Sequence, residues 1–144
     1  MIGLSHIYED GLELWIARLE NPERYKHHDP EKIFMKVGLL SGESLADLGC
    51  GTGFFALPAA KIIGNGGVVH AVDKVPEILA VLKKKADGAG LTNVKIVRAD
   101  VTATGIKDHS IDTVLMANVF HDVEKESMTR EIRRILKASA ANQF

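Results

Sequence analysis

From residue 44 onward the chain alternates short apolar runs with stretches of helical periodicity. That alternation leaves few folds open. Ser44–Leu48, Val68–Val72, Val94–Arg98 and Ile111–Ala117 each suit a strand. Phe54–Ile63, Pro76–Ala89 and Glu124–Lys137 repeat apolar residues at helical spacing; the last turns Met128, Ile132, Ile135 and Leu136 inward. Strands joined through helices imply a parallel sheet covered on both faces, and right-handed crossovers restrict its topology. The expected fold class is α/β, a Rossmann-like parallel sheet.

The first 40 or so residues do not follow this alternation. Leu12, Trp15, Ile16 and Leu19 share one face of a helix over residues 9–20, which Asn21-Pro22 ends. Residues 22–30, PERYKHHDP, suit a polar loop. Asp29 then caps a second short helix opened by Pro30, with Ile33, Phe34 and Val37 as its buried stripe. Residues 1–40 therefore form a helical cap, and residues 1–144 a single domain.

Composition removes several classes of function. With 18 basic and 19 acidic residues there is no charge footprint for nucleic acid or an anionic membrane. No apolar run approaches the ~20 residues of a membrane span, and the acidic N-terminus lacks the pattern of a signal peptide. The one cysteine, Cys50, rules out an internal disulfide and suits a reducing compartment. A soluble, cytoplasmic protein is expected.

Function concentrates in LADLGCGTGFFALPAAK, residues 45–61. In a parallel sheet, ligands bind beyond the carboxyl ends of the strands, where Gly49-Cys50-Gly51-Thr52-Gly53 falls. Glycines allow a sharp bend and close approach of backbone to ligand, and the next helix begins with free N–H groups. A dinucleotide site prefers G-x-G-x-x-G; here the spacing is G-x-G-x-G, with Asp47 just before it. A carboxylate repels a pyrophosphate but attracts an ammonium or sulfonium. The turn suits a cationic ligand carrying an adenosine, and an NAD-dependent oxidoreductase fits it poorly.

D-L-G-C-G-T-G resembles motif I of the class I S-adenosylmethionine-dependent methyltransferases. Later segments agree: V-V-H-A-V-D ends the second strand with Asp73, V-R-A-D ends the third with Asp100, and M-A-N-V-F-H-D-V follows the fourth. Order and wording are similar to the ubiquinone/menaquinone-type small-molecule methyltransferases over roughly residues 30–137. The resemblance implies S-adenosylmethionine as cofactor and a small-molecule methyl acceptor as partner. It also implies roles. Asp47 would hold the methionine ammonium, and Gly49, Cys50, Gly51 and Gly53 would contact the cofactor. Asp73 would accept from both ribose hydroxyls, with Lys74 flanking. Asp100 and the backbone of Val101 would meet the adenine, and Asn118 the methionine end. His121 and Asp122 are the candidate catalytic pair facing the acceptor. Tyr8 or Tyr25 would close over the cofactor. No metal is expected, since His27 and His28 lack companions at ligand spacing.

The sequence departs from this family after R-E-I-R-R-I-L-K, where a proline-glycine-glycine turn and further strands usually follow but ASAANQF stands. Of the family's strand order 3-2-1-4-5-7-6, the part 3-2-1-4 is expected, as if truncated after the fourth strand and its helix. That strand would then be a bare edge without proline or lysine. Among aggregation, cover by the tail and pairing of two copies, a homodimer through this edge is expected. A non-catalytic cofactor-binding module is the alternative to a working transferase.

Overall fold

The computed structural model describes residues 11–117 and 123–138. Among the described residues three helices precede the sheet: α1 (Leu12–Leu19), α2 (Arg24–His27) and α3 (Pro30–Val37). There follow β1 (Ser44–Leu48), α4 (Ala56–Ile63), β2 (Val68–Asp73), α5 (Pro76–Gly88), β3 (Val94–Arg98), β4 (Thr113–Leu115) and α6 (Lys125–Ile135). The strands lie in the order β3-β2-β1-β4, every pair parallel, as the sequence leads one to expect.

Strand alternation divides the core. Leu45, Val69 and Ala71 pack with Ala59, Ile63 and Leu82 of α4 and α5 on one face. Ala46, Leu48 and Val72 pack with Ile132 and Ile135 of α6 on the other. By the same alternation Asp47 and Asp73 project toward the α4–α5 face, the side on which the N-terminal helices dock. Leu12, Trp15, Ile16 and Leu19 of α1 pack against Val75 and Ile78 at the start of α5. The cap is therefore anchored at the carboxyl edge of the sheet.

Five local expectations are corrected. The polar stretch 22–30 contains α2, and the helix after the glycine turn starts at Ala56 rather than Phe54. Val37 is exposed, because Gly38 turns left-handed (φ 75°) and lets Leu39 enter the core in its place. Ala89 is likewise exposed, just past the end of α5. The fourth strand is confined to Thr113–Leu115. Ile111 bridges to Leu136 instead, and the Asp112 carboxylate accepts from the Ser44 N–H at 2.8 Å and pairs with Lys137 at 2.8 Å.

The loop between β3 and β4 is fixed by a buried acid. Glu131 of α6 accepts from the Thr104 N–H and hydroxyl at 2.6 and 2.8 Å and pairs with Arg134 at 2.7 Å. Arg134, burial-opposed and helped by Thr104, holds this carboxyl down at about 2. Among the described residues β4 pairs with β1 on one side only. No helix of the described residues is long and apolar enough to cross a membrane.

Candidate functional site

The register places the acids in a staircase. Leu48 lies opposite Val72, so Asp47 sits one residue inside the end of β1 and Asp73 ends β2 beside the glycine turn. Asp73 in turn lies opposite Arg98, so Asp100 stands two residues beyond the end of β3. Short side chains at staggered heights along one edge suit a ligand lying across the strand ends.

The turn is tied down by backbone bonds. The N–H groups of Gly49 and Cys50 both donate to the Val72 carbonyl, at 2.8 and 2.9 Å. Gly49, Gly51 and Gly53 all adopt positive φ (80°, 55° and 99°), which other residues rarely adopt. At Gly53 space also demands glycine: a Cβ would lie 2.5 Å from a methyl of Leu82. The Gly51 N–H donates to Asp73 Oδ2 at 3.0 Å, and the Val75 N–H to Oδ1 at 3.2 Å. These bonds aim the carboxylate without exhausting its lone pairs. Burial raises the Asp73 carboxyl, and the N–H donors partly offset it.

A cavity of about 210 Å³ opens between β2, β3 and the start of α6. Gly49, Asp73, Lys74, Asp100 and Val101, all expected site residues, line it, with Thr102 and Ser127. Asp100 is heavily committed: Lys74 Nζ lies 2.6 Å from Oδ2, while the Thr102 N–H and hydroxyl donate to Oδ1 at 2.9 and 2.7 Å. Lys74 and Thr102 together hold this carboxyl down at about 2.

Asp47 behaves oppositely. It is 1% exposed, and its Oδ1 finds no hydrogen-bond partner among the described residues. Burial, reinforced by Asp73 and opposed by Arg24, pushes its carboxyl up to about 7. An unpartnered acid this deep is costly unless something positive completes it. Cys50 is buried beside it, and burial with both carboxylates pushes the thiol well up, which removes it as a nucleophile.

Over the turn sits the N-terminal cap, by contacts that local sequence patterns do not disclose. The Thr52 hydroxyl donates to Glu20 at 3.2 Å, and Glu20 pairs with Lys85 of α5 at 2.8 Å. The Arg24 guanidinium lies 4.0 Å from the centre of the Phe54 ring, and the Tyr25 ring 4.8 Å from it. Tyr25, one of the two candidate tyrosines, thus packs on Phe54 at the flank of the turn. Tyr8, Asn118, His121 and Asp122 lie outside the described residues.

Residues 45–139 match the family described as Methyltransferase domain. A demethylmenaquinone methyltransferase of Staphylococcus aureus (strain MRSA252) is 28% identical over 123 residues, 83% of this chain and 50% of the relative. The aklanonic acid methyltransferase DauC of Streptomyces sp. (strain C5) is 34% identical over 76 residues, 53% of this chain and 34% of that protein. A crystal structure of a SAM dependent methyltransferase from Aquifex aeolicus superposes with a TM-score of 0.79 at 31% identity, covering 85% of this chain and 65% of its own. The chain thus spans a third to a half of the two curated relatives and just under two thirds of that structure.

Proposed function

The chain belongs to the methyltransferase domain family, and on that premise we propose that it performs S-adenosylmethionine-dependent methyl transfer to a small-molecule acceptor. The observation that carries the reading is Asp47: a buried carboxylate with an oxygen unpartnered among the described residues, beside the glycine turn and in the field of Asp73. Such a donor set fits a ligand with a positive amine next to an adenosine and repels a pyrophosphate.

In this reading Asp47 holds the ammonium. Asp73, aimed by the Gly51 and Val75 N–H groups, accepts from the two vicinal ribose hydroxyls. The positive-φ glycines bring bare backbone against the ligand, with Cys50 between them. Lys74, Asp100 and Val101 flank the nucleoside base in the adjoining cavity. When bound, S-adenosylmethionine supplies an electrophilic methyl carbon attached to a good neutral leaving group. The chain's part is then alignment and exclusion of water, with a base needed only where the acceptor sheds a proton. By the family resemblance Asn118 belongs at the amine end, and His121 and Asp122 on the acceptor side. Residues 1–144 act as one cofactor-binding domain, with residues 1–40 as its cap.

Demethylmenaquinone and aklanonic acid, in the names of two relatives, are small molecules, which supports an acceptor of that class. That all three relatives are methyltransferases supports turnover over a non-catalytic binding module. We also propose a cytoplasmic protein whose copies pair along β4. Its support is that β4 is paired on one side only among the described residues and that Thr113, Val114 and Leu115 are only partly buried. A monomer in sedimentation at micromolar concentration would remove the dimer alone.

The test is calorimetry with S-adenosylmethionine, S-adenosylhomocysteine and NAD, followed by labelled-methyl transfer to quinol, amine and metalloid acceptors. Binding of the first two compounds without NAD is expected. Preference for NAD, or no binding of S-adenosylhomocysteine, would refute the assignment.

A further inference from the structure

We propose that the cleft on the α6 side of β2 and β3 binds an organic phosphate, with Lys95 and Lys107 facing its charge and His70 donating to it. The cleft encloses about 660 Å³, within the usual size of small-molecule sites. It shares no lining residue with the cofactor cavity, so it stands apart from the cofactor reading above. It also lies at the β3 end of the sheet, away from the β4 edge proposed for pairing. His70 is directly opposite Lys95 in the parallel register. Strand alternation sends both to the face on which Val72 and Val97 pack. There α6 packs on Val72, while Thr104, Gly105, Ile106 and Lys107 of the β3–β4 loop wall the cleft.

Two features point to an anion. Lys95, Arg98 and Lys107 all line the cleft, and no acid among the described residues does. Within those residues none of the three pairs with a carboxylate; Asp108 and Asp112, the acids nearest Lys107 in sequence, are held by Arg134 and Lys137. The second feature is His70, whose Nδ1 is buried without a hydrogen-bond partner among the described residues. Buried polar atoms are nearly always bonded. Burial, with the field of Lys95 adding to it, holds this imidazole below its ordinary range. It stands neutral and, as the Nδ1–H tautomer, has one N–H to give. An anion beside it would take that N–H and offset the lysine. A phosphate ester suits three cations better than a carboxylate, because it brings close to two charges. Val68, Val97 and Ile106 offer apolar wall to the organic body. The bland reading makes Lys95 an edge-strand charge that only deters pairing with another sheet, and it leaves the His70 nitrogen without a purpose.

Phenyl phosphate, inorganic phosphate and benzoate are titrated by calorimetry into the wild-type chain, into Lys95→Gln/Lys107→Gln, and into a charge-matched control on α5, Lys83→Gln/Lys84→Gln. Wild type is expected to bind phenyl phosphate about tenfold or more tightly than inorganic phosphate, which has no apolar body, or benzoate, which has one charge. The cleft variant should lose about tenfold or more in phenyl phosphate affinity, the worth of a charge-assisted bond, while the control keeps it. In heteronuclear NMR, phenyl phosphate should shift the one imidazole whose signals vanish in His70→Gln. All four substituted lysines are exposed, so each variant should melt near wild type, which reports that it is folded. Absence of saturable binding, affinity for either comparison anion equal to that for phenyl phosphate, equal weakening in the α5 control, or an unmoved His70 imidazole would overturn the site and leave Lys95 as an edge charge. S-adenosylhomocysteine should bind the cleft variant as it binds wild type, so this site and the cofactor reading stand or fall separately.

Discussion

The two halves of the site solve opposite electrostatic problems. On the β2–β3 side, Asp73 and Asp100 are already partnered, by backbone N–H groups, by Thr102 and by Lys74. On the β1 side, Asp47 is buried with an oxygen unpaired among the described residues, and its carboxyl is pushed up to about 7. The first half is preorganised by its own bonds. The second holds a carboxyl whose ionised form burial and Asp73 oppose and a ligand cation would favour. A sugar hydroxyl can be bound by a carboxylate that keeps its other bonds, because each oxygen has two lone pairs. An ammonium that must be recognised against water gains most from a carboxylate with nothing else to bond.

The largest expected effect comes from the preorganised half. Asp73→Ala removes the acceptor for two hydroxyls and leaves the Gly51 and Val75 N–H groups without a partner. Unpaired buried donors cost about 1–3 kcal/mol each. Affinity for S-adenosylhomocysteine should fall about 100-fold or more, and thermal melting should show a loss of stability alongside it. Unchanged binding would mean the ligand does not lie across the end of β2.

The unsatisfied half should respond in the opposite sense. The Asp47 carboxyl is raised from its ordinary 3.8 to about 7, so between these values the folded chain binds more protons than the unfolded one. Stability is fullest below about 4 as far as this group is concerned, and is lost as pH rises through about 7. The loss is bounded by roughly 4 kcal/mol, from three units at 1.36 kcal/mol each. Asp47→Asn should therefore melt higher than wild type at pH 8, by several degrees, while binding S-adenosylhomocysteine about 10- to 100-fold more weakly. Wild-type affinity should weaken as pH falls below about 7, because the ammonium needs the ionised acid, and the variant should be flat there. A variant that melts lower at pH 8 would show that Asp47 is stabilised by partners outside the described residues.

The contrast also explains what was legible in the sequence. Strand order, the glycine turn and the acids at the strand ends all follow from local rules: short apolar runs, positive-φ residues, and register that counts by residue. The docking of α2 does not, because Arg24 and Tyr25 reach Phe54 across 30 and 29 residues of chain. PERYKHH has the composition of a solvated loop, and nothing in it marks Arg24 as half-buried. Val37 shows the same limit at smaller scale. Helical spacing assigns it to the core, but the left-handed turn at Gly38 delivers Leu39 there instead. Val101 and Lys74 were legible as cavity residues because they adjoin acids that the strands place; Thr102 was not, since a hydroxyl bonding the preceding turn has no distinctive pattern.

Lys74 sharpens the comparison with the smallest effect. Its Nζ lies 2.6 Å from Asp100, but both side chains are more than a third exposed, so solvent screens the pair and its net worth is under ~1 kcal/mol. Lys74→Met should leave melting nearly unchanged, and the Asp100 carboxyl should return toward its ordinary value as its largest stabilising partner goes. Asp100 keeps its two bonds from Thr102, so the acid stays aimed when the lysine is lost. If Asp100 meets the base of the ligand, freeing Oδ2 should alter S-adenosylhomocysteine affinity by no more than about threefold, in the direction of tighter binding. A tenfold loss would instead make Lys74 itself a ligand contact, and the β2–β3 side would then depend on a cation as the β1 side depends on Asp47.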